Sequence, residues 1–160
     1  MVEPLHLPEG TVQRLKKKLI FFYTGIGRSS GRVLKEQNDM IGEKIDHLNK
    51  LRALAVRAKA DLEHDRIESF GAMLDESWNM KRTFASGISN DTIDNYYKAA
   101  LKAGASGGKI LGAGGGGFFM FYCEEDKQAV VRKALAPMRE VKFYFPVEGS
   151  KIIFSDNKSR

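Results

Sequence analysis

The chain has 160 residues, 42% of them hydrophobic and 29% charged, enough for one well-filled core and short for two. No apolar run approaches the ~20 residues of a membrane helix, residues 1–19 lack the apolar stretch of a signal peptide, and the single Cys123 excludes an internal disulfide framework. A cytoplasmic protein with no membrane partner is therefore expected.

The net charge of +6 is uneven: residues 1–80 carry 13 basic and 12 acidic side chains, residues 81–160 carry 13 and 8. The excess in the second half suits a small anionic ligand. Lys16-Lys17-Lys18, the one dense basic run, has no interleaved aromatics, so no nucleic-acid partner is expected.

Along the chain, Pro4, Pro8 and Gly10 interrupt any long element, and Thr11 is placed to cap a short helix towards Lys18. Leu19-Ile20-Phe21-Phe22-Tyr23, stopped by Thr24-Gly25, reads as a buried strand. Helical spacing follows in one long stretch, from Val33 and Leu34 through Ile41, Ile45, Leu48 and Leu51 to Leu62. A second helix carries Ile67, Phe70, Leu74 and Trp78 on one stripe and is closed by Ser86-Gly87. A third, capped by Asn90 or Asp91, turns Ile93, Tyr97 and Ala100 inward and stops at Gly104.

The pattern then changes to strands. Residues 109–113 and 118–123 read as an antiparallel pair, and Glu124-Glu125-Asp126 opens a helix through Val130, Val131 and Leu135 that Pro137 closes. Residues 140–145 and 151–154 read as two more strands. Strand, helices, strand, strand, helix, strand, strand is the split βαβ order. It predicts an α+β ferredoxin-like sandwich, an antiparallel sheet with helices on one face and an enlarged first helical crossover, as a single domain over 1–160.

Eight of the sixteen glycines lie between Gly104 and Gly117, most of them in Lys109-Ile110-Leu111-Gly112-Ala113-Gly114-Gly115-Gly116-Gly117. Gly112, Gly114 and Gly117 satisfy G-x-G-x-x-G, but the dinucleotide fingerprint needs a helix next, and Phe118-Phe119-Met120-Phe121-Tyr122 is a strand. No G-K-[ST], H-R-D or D-F-G accompanies the loop, which excludes a P-loop and the protein kinases. Two readings of the loop remain: a turn that lets neighbours pack closely, or a backbone cradle for an anion.

The stretch from Lys109 to Gly117 resembles the third motif of the GHMP kinases (galactokinase, homoserine kinase, mevalonate kinase, phosphomevalonate kinase). Phe22-Tyr23-Thr24-Gly25, Arg28, Val33-Leu34-Lys35-Glu36-Gln37 and Gly107-Gly108-Lys109-Ile110-Leu111-Gly112 resemble its sugar-kinase branch, which phosphorylates D-glycero-D-manno-heptose 7-phosphate. The resemblance implies a ferredoxin-like C-terminal domain, preceded in the parent kinase by an N-terminal domain that holds ATP and Mg, with residues 1–17 as the crossover. Lys109, Gly112, Ala113, Gly114, Gly115, Gly116 and Gly117 would line the nucleotide and substrate cleft. Arg28, just past a strand end, reads either as a contact for a substrate phosphate or as one half of a helix-face ion pair.

The second motif, P-x-x-x-G-L-G-S-S-A, is absent; Gly25-Ile26-Gly27-Arg28-Ser29-Ser30-Gly31 imitates it without the preceding proline. The family's catalytic carboxylate and magnesium ligands lie in the other half, so this chain is expected to hold no catalytic residue, cofactor or metal by itself. Leu111 stands where many members carry Thr or Ser. An uncovered interdomain face and self-association follow. The rival reading is a stand-alone ferredoxin-like module for anion binding or assembly. Elsewhere, His6, His47 and His64 have no ligand spacing, and Asp61, Glu63, Asp65 and Glu68 read as a wetted helix junction.

Overall fold

The computed structural model describes residues 4–27, 30–39 and 42–145. In chain order these form α1 (Thr11–Lys18), β1 (Leu19–Tyr23), α2 (Ser30–Asp39), a 3-10 turn (Gly42–Lys44), α3 (Ile45–Glu63), α4 (Phe70–Lys81), α5 (Asp91–Lys102), β2 (Gly107–Ile110), β3 (Phe118–Tyr122), α6 (Gln128–Ala134) and β4 (Arg139–Glu140). The sheet order is β2-β3-β1-β4 with every neighbour antiparallel, so β1 and β2 run parallel on either side of β3. This is the α+β ferredoxin-like arrangement, and α2, α3, α4 and α5 make the enlarged crossover between β1 and β2.

Strand alternation sorts the sheet into two faces. Ile20, Phe22, Phe119, Phe121 and Ile110 point into the main core with Trp78, Ile88, Ile93, Tyr97 and Val131. The other face is not bare: Leu19 and Tyr122 are buried there against Leu15 of α1 and Leu74 of α4. At the other end of that face Tyr23 and Phe118, opposite each other in register, are exposed with their rings 5.2 Å apart.

α4 lies hard against β2. A Cβ on Gly107 would come within 1.9 Å of the Gly71 carbonyl oxygen, so only glycine fits there. Tyr97 of α5 ties the layers together, its hydroxyl donating to Asp75 Oδ1 at 2.6 Å and lying 3.3 Å from the Gly108 carbonyl oxygen. Burial and the Asp75 carboxylate push the Tyr97 phenol well above its ordinary range, so it stays a donor.

Several boundaries differ from those expected. The helical stretch after Val33 is two helices rather than one, with the 3-10 turn at Gly42–Lys44 leading into α3. Gly10, with φ of 82°, occupies the N-cap of α1, and the Thr11 hydroxyl instead donates to Asp65 at 2.6 Å. β2 begins at Gly107 and ends at Ile110, because Gly107 and Gly108 pair with Tyr122 and Phe121 while the glycine loop takes over beyond Ile110.

The acidic run 124–126 sits in the turn before α6, whose N-cap is Lys127. Of the strand expected over 140–145 only Arg139–Glu140 pairs. Val141 N–H still donates to the Phe21 carbonyl at 2.8 Å, after which Phe143 turns its ring onto Phe21 with centroids 4.1 Å apart. The strand expected over 151–154 lies outside the described residues, as does Arg28.

At the junction of α3 and α4, Asp61 and Asp65 are held in local contacts, Asp65 by Thr11 and Arg14. Asp61 accepts from Arg66 at 2.8 Å and from Ser69 at 2.9 Å, and the Arg66 guanidinium holds its carboxyl below the usual range. Among the described residues no helix is long and apolar enough to cross a membrane.

Candidate functional site

The glycine loop joins β2 to β3. Gly112, Gly114, Gly115, Gly116 and Gly117 all have φ between 73° and 150°. Two of them show why the loop consists of glycine. Gly115, at φ of 73°, donates its N–H to the Ile88 carbonyl at 2.7 Å, which holds the turn in the left-handed region. Gly116 passes so close to the β1–α2 segment that a Cβ there would lie 2.5 Å from the Ile26 carbonyl oxygen. Successive backbone N–H groups in a turn can form an anion-binding concavity.

Three neighbours fix the loop. From the end of β1, Thr24 donates both its N–H, at 2.9 Å, and its hydroxyl, at 3.0 Å, to the Gly117 carbonyl; the hydroxyl also accepts from Ile26 N–H at 3.2 Å. The second neighbour is the α4–α5 connection, whose Ile88 is fully buried and packs on Gly114. Asp94 holds that connection through Arg82 and Ser89, and Asn90 caps α5 by accepting from Ile93 N–H at 3.0 Å. The third is Lys81, at the end of α4, whose ammonium donates to the Gly112 carbonyl.

The expected residues therefore separate into groups. Gly112 through Gly117 form one continuous turn, in which the Ala113 methyl packs on the main core, so any contact of Ala113 with a ligand is made by its backbone. Lys109 points from β2 towards α4 and donates to Ser77 Oγ at 3.2 Å. Burial pushes its ammonium below the ordinary value. Lys109 and Lys81 line one cleft with Ser77, between α3 and α4.

Sequence reading missed Thr24, Lys81 and Ile88. Thr24 stood within the Phe22-Tyr23-Thr24-Gly25 stretch that carries the resemblance, and Lys81 stands four residues after Ser77, and so on the same helical face; Ile88 left no signal. Among the described residues no three His, Cys, Asp or Glu side chains gather as a metal-holding group.

The chain matches known proteins. Residues 58–140 match the family model for the C-terminal part of GHMP kinases. The chain is 26% identical over 137 residues to a D-glycero-alpha-D-manno-heptose 7-phosphate kinase of Campylobacter jejuni, covering 84% of this chain and 40% of that protein. Among solved structures it resembles a D-glycero-D-manno-heptose 1-phosphate kinase from Bacteroides thetaiotaomicron, with a TM-score of 0.60 at 22% identity over 88% of this chain and 37% of that one. Mevalonate kinase of L. major gives 0.64 at 19% identity, over 74% and 37%.

The chain thus spans about 40% of the length of the first of these relatives. A family match over more than half the residues, on a sheet of this order with this glycine turn, settles membership: the chain belongs to the GHMP kinases, as their C-terminal domain.

Proposed function

We propose that this chain is one wall of an ATP-dependent sugar kinase that acts in the cytoplasm on D-glycero-D-manno-heptose 7-phosphate or a close relative. The observation that carries the reading is the run of positive-φ glycines, fixed from three sides by Thr24, Ile88 and Lys81. Phosphoryl transfer needs positioned donors and charge more than a covalent nucleophile, and a rigid backbone turn with basic residues beside it meets that need. The heptose phosphate in the names of two relatives supports the substrate class.

In this reading Gly112, Ala113, Gly114, Gly115, Gly116 and Gly117 contribute backbone to the phosphate side of the cleft. Lys109 and Arg28 supply positive charge to the same wall. An N-terminal domain supplies the phosphate-cradling motif, the carboxylate and the Mg site, and residues 1–17 are the crossover from it. The chain alone then folds without turning over ATP.

A coupled assay tests this on two proteins, the chain by itself and the chain joined to its N-terminal domain, each with ATP, Mg and the heptose phosphate. Turnover by the joined protein only is expected. Turnover by the chain alone at an ordinary kinase rate, or by neither protein, would contradict the proposal.

A further inference from the structure

Between α3 and α4 lies a cleft of about 370 Å³, within the ~300–1,000 Å³ range of small-molecule sites. Its walls are apolar, Leu54, Met73 and Leu74 among them, and its polar end is formed by Ser77, Lys81 and Lys109. Lys109 is half-buried in this cleft, and drawing a cation part-way out of water costs free energy unless something pairs with it. Among the described residues Lys109 makes one hydrogen bond, to a neutral hydroxyl, and no ion pair.

The arrangement of donors fits an anion. Ser77 Oγ accepts from Lys109 and so keeps its own hydrogen to donate. The Lys109 ammonium carries three N–H groups, one of them directed at Ser77. Lys81 lines the same end and adds a second positive charge, while its contact with the Gly112 carbonyl joins this end of the cleft to the glycine turn. The Lys109 ammonium with donors to spare and a hydroxyl, above apolar walls, match a compact anion carried on a small body.

We propose that the α3–α4 cleft is a binding site for a phosphate monoester, its phosphate held by Lys109 and Ser77 in the field of Lys81 and its body lying along the apolar wall. The low dielectric of that wall strengthens the ion pair. The site adjoins the backbone turn through Lys81, and it stands whether or not the chain serves a kinase, since its test uses no ATP.

The test titrates the 160-residue chain with hexyl phosphate, hexanol, glucose 6-phosphate and inorganic phosphate, following backbone amide NMR signals and heats of binding. Hexyl phosphate or glucose 6-phosphate is expected to shift Leu54, Ser77, Lys81 and Lys109 and to bind more tightly than inorganic phosphate. Whichever of the two binds more tightly identifies the body as hydrocarbon or sugar.

Lys109→Met is expected to weaken that binding by about tenfold or more, and Ser77→Ala by about threefold, as for a charge-assisted bond and a neutral one. Ser77→Ala leaves the charge in place and gives an independent reading should Lys109→Met disturb folding. Failure of both organic phosphates to shift these residues, hexanol binding as tightly as hexyl phosphate, or full affinity in both variants would overturn the proposal.

Discussion

Lys109 is a cation whose burial disfavours its charge, and that has a consequence for stability. Its folded pKa lies below the ordinary 10.5, so between those two values the unfolded chain binds more protons and stability rises with pH. Lys109→Met should therefore melt higher than the parent chain at pH 7. The difference should shrink as pH rises towards 10.5. Melting curves over that range check it; a variant that melts lower at every pH would mean that the ammonium makes a favourable contact in the folded chain.

Tyr97 makes the opposite case, a buried polar group that is fully used. Tyr97→Phe leaves Asp75 Oδ1 without its donor and should cost about 1–3 kcal/mol in denaturant unfolding. No loss would show that water replaces the hydroxyl.

At the scale of elements, glycine decides how closely layers approach. Gly107→Ala would drive a methyl into the Gly71 carbonyl and against Asp75 Cβ, 3.0 Å away. It should lower stability by about 1–3 kcal/mol or more, readable as a shifted unfolding midpoint at constant slope. An unchanged midpoint would mean that α4 can move away from β2 at no cost.

The same glycines explain what could be read from residues alone. Leu19–Tyr23, α5 with its Asn90 cap, and Phe118–Tyr122 were legible because apolar period and cap agree. The start of β2 was not, since Gly-Gly has weak strand preference and is placed by Tyr122 across the ladder and α4 beside it. The 3-10 turn before α3 was hidden because apolar spacing in the sequence runs on through Ile41 and Ile45. In the site, the turn was legible as a turn; the residues that hold it, Thr24, Lys81 and Ile88, come from three distant segments, and local pattern cannot bring them together.

For the whole molecule, the question is what covers the second sheet face. Tyr23 and Phe118 are exposed immediately beside Gly117. Apolar area of this kind promotes association when its partner is absent. Sedimentation of the chain alone should show concentration-dependent self-association that Phe118→Asp reduces; a strict monomer at high concentration would argue against a covered face there.

The central claim is that the glycine turn handles phosphate rather than merely joining two strands. Gly115→Val in the protein that includes the N-terminal domain tests it most directly, with melting temperature and phosphoryl-transfer rate measured on the same sample. A β-branched residue at φ of 73° adds strain of about 1–3 kcal/mol, which the core should tolerate. A comparable loss of transition-state stabilisation lowers the rate by about tenfold or more. A folded variant with that loss of rate is the predicted result; full activity, or a loss matched by the unfolded fraction, would contradict the claim.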